Sequence, residues 1–145
     1  MAANTSPIFS IAGDIEWGST DGNGATAGSL KTQNTAKDGT GTVLTVFTAD
    51  VEGAFVQRIR FRSAGTNIAT VARVFINNGS ANSTPANNIL YDEITLAATT
   101  LSEVAALATY ELPLNFALPP SYKINITLGT TVAAGYFISV IGGKY

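Results

Sequence analysis

From Tyr110 the chain reads YELPLNFAL, and a few residues later PPSYKINITL; in both, every second residue is apolar. Tyr110, Leu112, Leu114, Phe116 and Leu118 fall on one phase, with Glu111, Pro113 and Asn115 on the other. Tyr122, Ile124, Ile126 and Leu128 alternate in the same way with Lys123, Asn125 and Thr127. A helix would need a period near 3.6 residues, so a sustained period of two restricts these segments to extended strands with one face buried and one wet. Half-buried strands of this kind belong to antiparallel sheets. Pro113 removes one ladder donor, which places its strand at an edge or at a local irregularity.

Three further segments are apolar on both phases: TVLTVFT (Thr42 to Thr48), TVARVFIN (Thr70 to Asn77) and GYFISVIG (Gly135 to Gly142). Their β-branched and aromatic content favours strands, and two covered faces place them in mid-sheet. Turn chemistry separates the strands: SAGTN, NNGSANSTPANN, LPPSY and LGTTVAAG. The sum is about eight strands, an all-β chain expected to fold as one antiparallel β-sandwich over residues 1–145, with the jelly roll as the expected arrangement; another Greek-key sandwich would show the same alternation. The only helix candidate is a short turn near Leu101 to Leu107. Residues 1–41 are expected to form an N-terminal arm and a long loop, because WGSTDGNGATAGSLKTQNTAKDGTG offers almost nothing to bury. Within them PIFSIAGDIEW supplies a first strand or an arm on a neighbour.

The basic residues are unevenly spent. Of eight Lys and Arg in 145 residues, three stand at alternate positions of QRIRFR, so Arg58, Arg60 and Arg62 should line one strand face behind Phe55, Ile59 and Phe61. At about 7 Å spacing, adjacent arginines repel by roughly 0.6 kcal/mol in water, a tolerable cost on a solvated face. The sharper alternative is that they meet carboxylates, which the guanidinium fork binds bidentately. Inside the chain the candidates are Asp50, Glu52, Asp92, Glu93 and Glu111. Arg73 interrupts the Val71 and Phe75 face of an apolar strand and therefore requires a partner.

Catalytic chemistry has little to work with. There is no histidine and no cysteine, which removes the usual proton shuttle, the thiolate nucleophile and the commonest transition-metal ligands. Asp92 and Glu93 are adjacent and point apart on a strand; Asp14 and Glu16 share a face that solvent explains equally well. DGNG at Asp21 to Gly24 resembles a fragment of a calcium loop, but the remaining oxygen ligands at the required spacing are missing. Asn4, Asn78, Asn82 and Asn125 begin N-x-Ser/Thr triplets, unremarkable in so polar a chain. We expect no enzyme, no cofactor and no bound metal. A net charge of −2 argues against nucleic acid, and the N-terminus, with no stretch approaching a membrane span, predicts a soluble protein made in the cytoplasm without a secretory signal. Most aromatics fall on apolar phases, Phe55, Phe61, Tyr110, Phe116 and Tyr122 among them. Trp17 and the terminal Tyr145 do not, and join the three arginines as candidate interface residues.

The stretch RIRFRSAGTNIATVARVFINNGS, followed by LYDEITLAATTLSEVAALATYELPLNFALPPSYKINITLGTTVAAGYFISVIGGKY, resembles small structural proteins of tailed bacteriophages, in particular head decoration or cement proteins. The likeness runs from Arg58 to Tyr145, and AGTN, RVFINN, LPPSY, LGTTVAAG and GGKY carry most of it. In the similar proteins the LPPSY turn usually has Gly where this chain has Ser121. The resemblance implies a non-enzymatic protein on the outer surface of the virion capsid, assembled in the host cytoplasm, whose partners are the major capsid protein and its own copies, as a dimer or trimer. A charged fraction of only 12% suits a surface that is largely covered in an assembly. The competing expectation is a host-glycan-binding module of a tail or head fibre, built from NNGSANSTPANN and the Trp17 loop.

Overall fold

The computed structural model describes the backbone of residues 11–17 and residues 29–145 in full. The DGNG stretch, Asn4 and much of the expected arm and loop lie outside the described residues. The strands are β1 (Ile11–Trp17), β2 (Ser29–Leu30), β3 (Leu44–Thr48), β4 (Ala54–Ser63), β5 (Thr70–Asn77), β6 (Asn88–Leu96), β7 (Thr109–Leu118), β8 (Lys123–Leu128) and β9 (Tyr136–Lys144). They form two antiparallel sheets: β1-β9-β4-β7, with the two-residue β2 also paired to β9, and β3-β8-β5-β6. The sheets pack face to face as a β-sandwich, as the alternation requires. The first contributes Ile59, Phe61, Tyr136, Ile138 and Val140 to the core, the second Leu44, Val46, Phe47, Ala72, Val74, Ile124 and Ile126.

Strict alternation would place Phe55 with Ile59 and Phe61, yet Phe55 is 38% exposed while Ala54 and Val56 are buried. The cause is a bulge that crosses the sheet. Between the paired rows at Val56 and Arg58, β9 advances one residue (Gly142 to Ile141), β4 two, and β7 three (Phe116 to Pro113). Only β4 therefore changes phase, which turns Phe55 outward and restores the inward set from Ile59 onward. Asn115 takes up the extra residue of β7 at φ 52°, a left-handed conformation that asparagine tolerates. Gly142 lies against β4 at the same point, where a Cβ would run into the Phe55 carbonyl oxygen.

Pro113 sits on an edge strand beside this irregularity, so the proline signal holds on both counts. The Thr42–Thr48 segment does not occupy mid-sheet: β3 is the outer strand of its sheet. Its apolar character instead reflects a bulge between Thr45 and Phe47, which lets consecutive Val46 and Phe47 both face inward. The helix expected at Leu101–Leu107 is absent; the only helical turn among the described residues is the 3-10 turn Pro85–Asn87. There the chain is held open by tertiary bonds, Asn67 and Thr99 exchanging backbone hydrogen bonds and Leu101 N–H donating to Thr66 Oγ1. Nor is the early polar stretch all excursion. Leu30 is fully buried through β2, and Gln33 bridges to Leu128.

Candidate interaction face

Because residues opposite each other in an antiparallel pair share a face, the registers of β7, β4, β9 and β1 define rows across the outside of the first sheet. One row runs Thr109, Arg62, Phe137; the next Glu111, Arg60, Ser139, Trp17; the third Pro113, Arg58, Ile141, Ile15. The three arginines of QRIRFR do line one face, as alternation requires, and the register brings Trp17 into the row of Arg60. Trp17 is described only by that position in the strand. Tyr145 lies at the far end of β9, its N–H donating to the Gly53 carbonyl. The bulge adds a residue that simple alternation hides: Phe55 joins this outer face, together with Phe137, which is 46% exposed.

The arginines are held to different degrees. Arg58 Nε lies 3.5 Å from Glu111 Oε2, and its Nη1 donates to Gln57 Oε1 at 2.6 Å. Arg62 Nη1 donates to Thr109 Oγ1 at 3.0 Å. Arg60, between them, has no ion pair or side-chain hydrogen bond among the described residues, and its strand position is exposed. Glu111 is the one acid in these rows. A chain of net charge −2 thus carries on this face a local excess of positive charge set among aromatic and aliphatic side chains. Arginine and aromatic residues are the types enriched in protein interfaces.

Of the internal acids considered, Glu93 serves Arg73 instead, at 2.8 Å on the outside of the second sheet. With the Arg73 side chain only 13% exposed, this pair meets the requirement that a charge on that apolar strand be partnered.

The asparagine-rich turn between β5 and β6 is tied inward. Asn77 donates to Asn88 Oδ1 and Asn78 to Asn87 Oδ1, two rungs across the mouth of the hairpin. Asn82 reaches the Gly39 and Gly41 carbonyls, and Asn88 reaches those of Asp38 and Asn82. These amides close the turn onto the 38–42 loop. Asn125 is buried, accepting from Thr45 Oγ1 at 2.8 Å. Among the described residues no group of three or more His, Cys, Asp or Glu is placed to hold a metal ion, and no helix is long and apolar enough to cross a membrane.

No protein-family model and no curated sequence matches the chain.

Proposed function

We propose that this protein is a non-enzymatic capsid decoration protein of a tailed bacteriophage, which attaches to the outer surface of the major capsid protein lattice through the outer face of its first sheet. The observation that carries the reading is the arginine row on an open sheet face, with Arg60 unpaired among the described residues and Phe55 and Phe137 exposed beside it. An acidic surface on the capsid would supply bidentate partners for Arg60 and draw Arg58 from its long contact with Glu111. The strand order supports the same reading: β1-β9-β4-β7 over β3-β8-β5-β6 is the wrapped order we assign to a jelly roll. Attachment at many lattice points makes weak individual contacts sufficient.

The glycan-binding reading has less support, since the asparagine amides that would read sugar hydroxyls are spent inside the molecule.

The test is occupancy on purified particles stripped of this protein and reloaded with wild type or with the Arg58→Gln, Arg60→Gln, Arg62→Gln triple variant. A hot-spot loss of about 2 kcal/mol corresponds to roughly thirtyfold weaker attachment, with the wild type released by rising salt. Unchanged occupancy of the folded triple variant would overturn the assignment of this face.

A further inference from the structure

The ion pair accounts for only part of Arg73. Glu93 accepts from its Nε at 2.8 Å, but Nη1, farther along the guanidinium, is buried and makes no hydrogen bond among the described residues. Thr127, opposite Arg73 in the register of β5 and β8, is 2% exposed, and its Oγ1 is likewise unpaired. Alternation puts both side chains on the outer face of the second sheet, since Ala72, Val74, Ile126 and Leu128 take the inner one. Buried polar groups are nearly always hydrogen-bonded, so two unpaired donors in one row require an explanation.

Beside this row a depression of about 340 Å³ opens between the start of β5, Thr95 of β6 and the two residues that follow β8, and Arg73 is the one charged residue lining it. Nη1 and Nη2 come within 3.5 and 3.8 Å of the point where a Cβ on Gly129 would stand. The end of the guanidinium that Glu93 leaves free is therefore the end turned toward Gly129 and the depression. The remaining walls offer little polarity. Ala69, Val71 and Gly129 are apolar, and the hydroxyls of Thr70 and Thr130 are engaged, the first accepting from Thr130 N–H at 3.1 Å and the second donating to the Ala69 carbonyl at 3.3 Å.

We propose that this depression binds a small aliphatic carboxylate, its charged end on the Nη groups of Arg73 and its chain over Ala69, Val71 and Gly129. The guanidinium fork matches a carboxylate and here has donors to spare. A single cation among apolar walls suits a monoanion with an apolar tail, whereas a phosphate dianion would find too few donors. An apolar cavity of ~150 Å³ accepts a benzene ring, so a chain of about six carbons fits. Glu93 sits at the Nε side and is 49% exposed, where solvent screens its repulsion of the ligand. Open to solvent on one side, the site should bind weakly, with Kd in about the millimolar range. It lies on the second sheet, away from the arginine row of the first, and stands whether or not that row meets a capsid.

Titration of the nitrogen-15-labelled protein with hexanoate, followed by two-dimensional NMR, tests it. Hexanoate should shift the amide signals of Val71, Thr95, Gly129 and Thr130 saturably, and hexanamide, which keeps the chain and loses the charge, should bind roughly tenfold or more weakly. Arg73→Gln should lose as much, and so should Gly129→Val, which fills the depression beside the guanidinium and leaves the Arg73–Glu93 pair in place; the spectrum itself shows that each variant is folded. Acetyl-Ala-Leu with a free carboxylate, compared with its amide, separates a chain terminus from a free acid as the natural source, according to which carboxylate binds tighter. If neither carboxylate moves these signals, if hexanamide binds as well as hexanoate, or if the folded Gly129→Val variant binds unchanged, the proposal is overturned.

Discussion

Asn67 is the residue whose loss should cost the fold most for its size. It is 3% exposed, and its amide makes four hydrogen bonds: Oδ1 accepts from Ala134 N–H (2.8 Å) and Gly135 N–H (2.9 Å), while Nδ2 donates to Ser63 Oγ (2.9 Å) and Gly135 O (2.9 Å). Truncation to alanine removes all four, at about 1 kcal/mol each, and strands the buried Gly135 N–H, while the Gly135 carbonyl keeps its bond from Ala64 N–H. The expected loss is about 3–5 kcal/mol, a large part of the 5–15 kcal/mol that holds an ordinary domain together, and roughly 10–15 °C in Tm. Urea denaturation followed by circular dichroism measures it, with the m-value as a check that the transition stays two-state. Asn67→Asp refines the test. It keeps the acceptor for the two N–H groups but sets a carboxylate oxygen against the Gly135 carbonyl, so its penalty should shrink as pH falls and the acid takes a proton. A loss below 1 kcal/mol for Asn67→Ala would refute the view that this amide holds the loop end together.

Three further outcomes follow from backbone geometry and burial. Ser121 has φ 67°, in the left-handed region that favours glycine, so Ser121→Gly should stabilise the protein by about 1 kcal/mol in thermal or chemical denaturation; a destabilised variant would contradict the strain. Gly142→Ala should cost 2 kcal/mol or more, because its methyl group collides with the Phe55 carbonyl at the bulge, and a near-neutral result would show that the bulge yields. Tyr136 is fully buried with no well-formed hydrogen bond at its hydroxyl, and burial, with a lesser contribution from Tyr110 and against the opposing effect of the nearby Asn67 amide, raises its pKa from the usual 10.0. The folded state then keeps the phenol proton where the unfolded state releases it, so this contribution is intact below pH 10 and stability is lost as pH rises beyond it. Tyr136→Phe should be neutral or slightly stabilising at pH 7 and should lose less stability than wild type between pH 9 and pH 11; equal losses would remove Tyr136 from the alkaline transition.

What could be read directly from the residues is what depends on period and on local chemistry. Alternation in YELPLNFAL was enough for an antiparallel strand with one wet face in a sandwich or a barrel; in KINITL it marked the strand but not a wet face, because β8 lies in mid-sheet with Asn125 and Thr127 both buried. Pro113 marked its own edge strand, and Arg73 within an apolar run demanded the partner it has in Glu93. The arginine row was legible because the alternation from Arg58 to Arg62 is unbroken. Where local signals failed, a neighbouring strand had intervened. Phe55 turned outward because three neighbouring strands of the first sheet, β7, β4 and β9, advance by different numbers of residues past one point, a property of the register and of no single segment. Leu101 to Leu107 carries helix-forming residues, yet bonds from Thr66, Asn67 and Thr99 hold the preceding residues open and leave Val104 in solvent. Trp17 meets the row of Arg60 only through β9, more than a hundred residues distant in sequence. The sequence by itself determined which side chains want water and which do not, since that is settled by side-chain chemistry and a two-residue period. Only the tertiary structure decided which of them stand together, since pairing partners, bulges and loop ends are set by closing two sheets over one core.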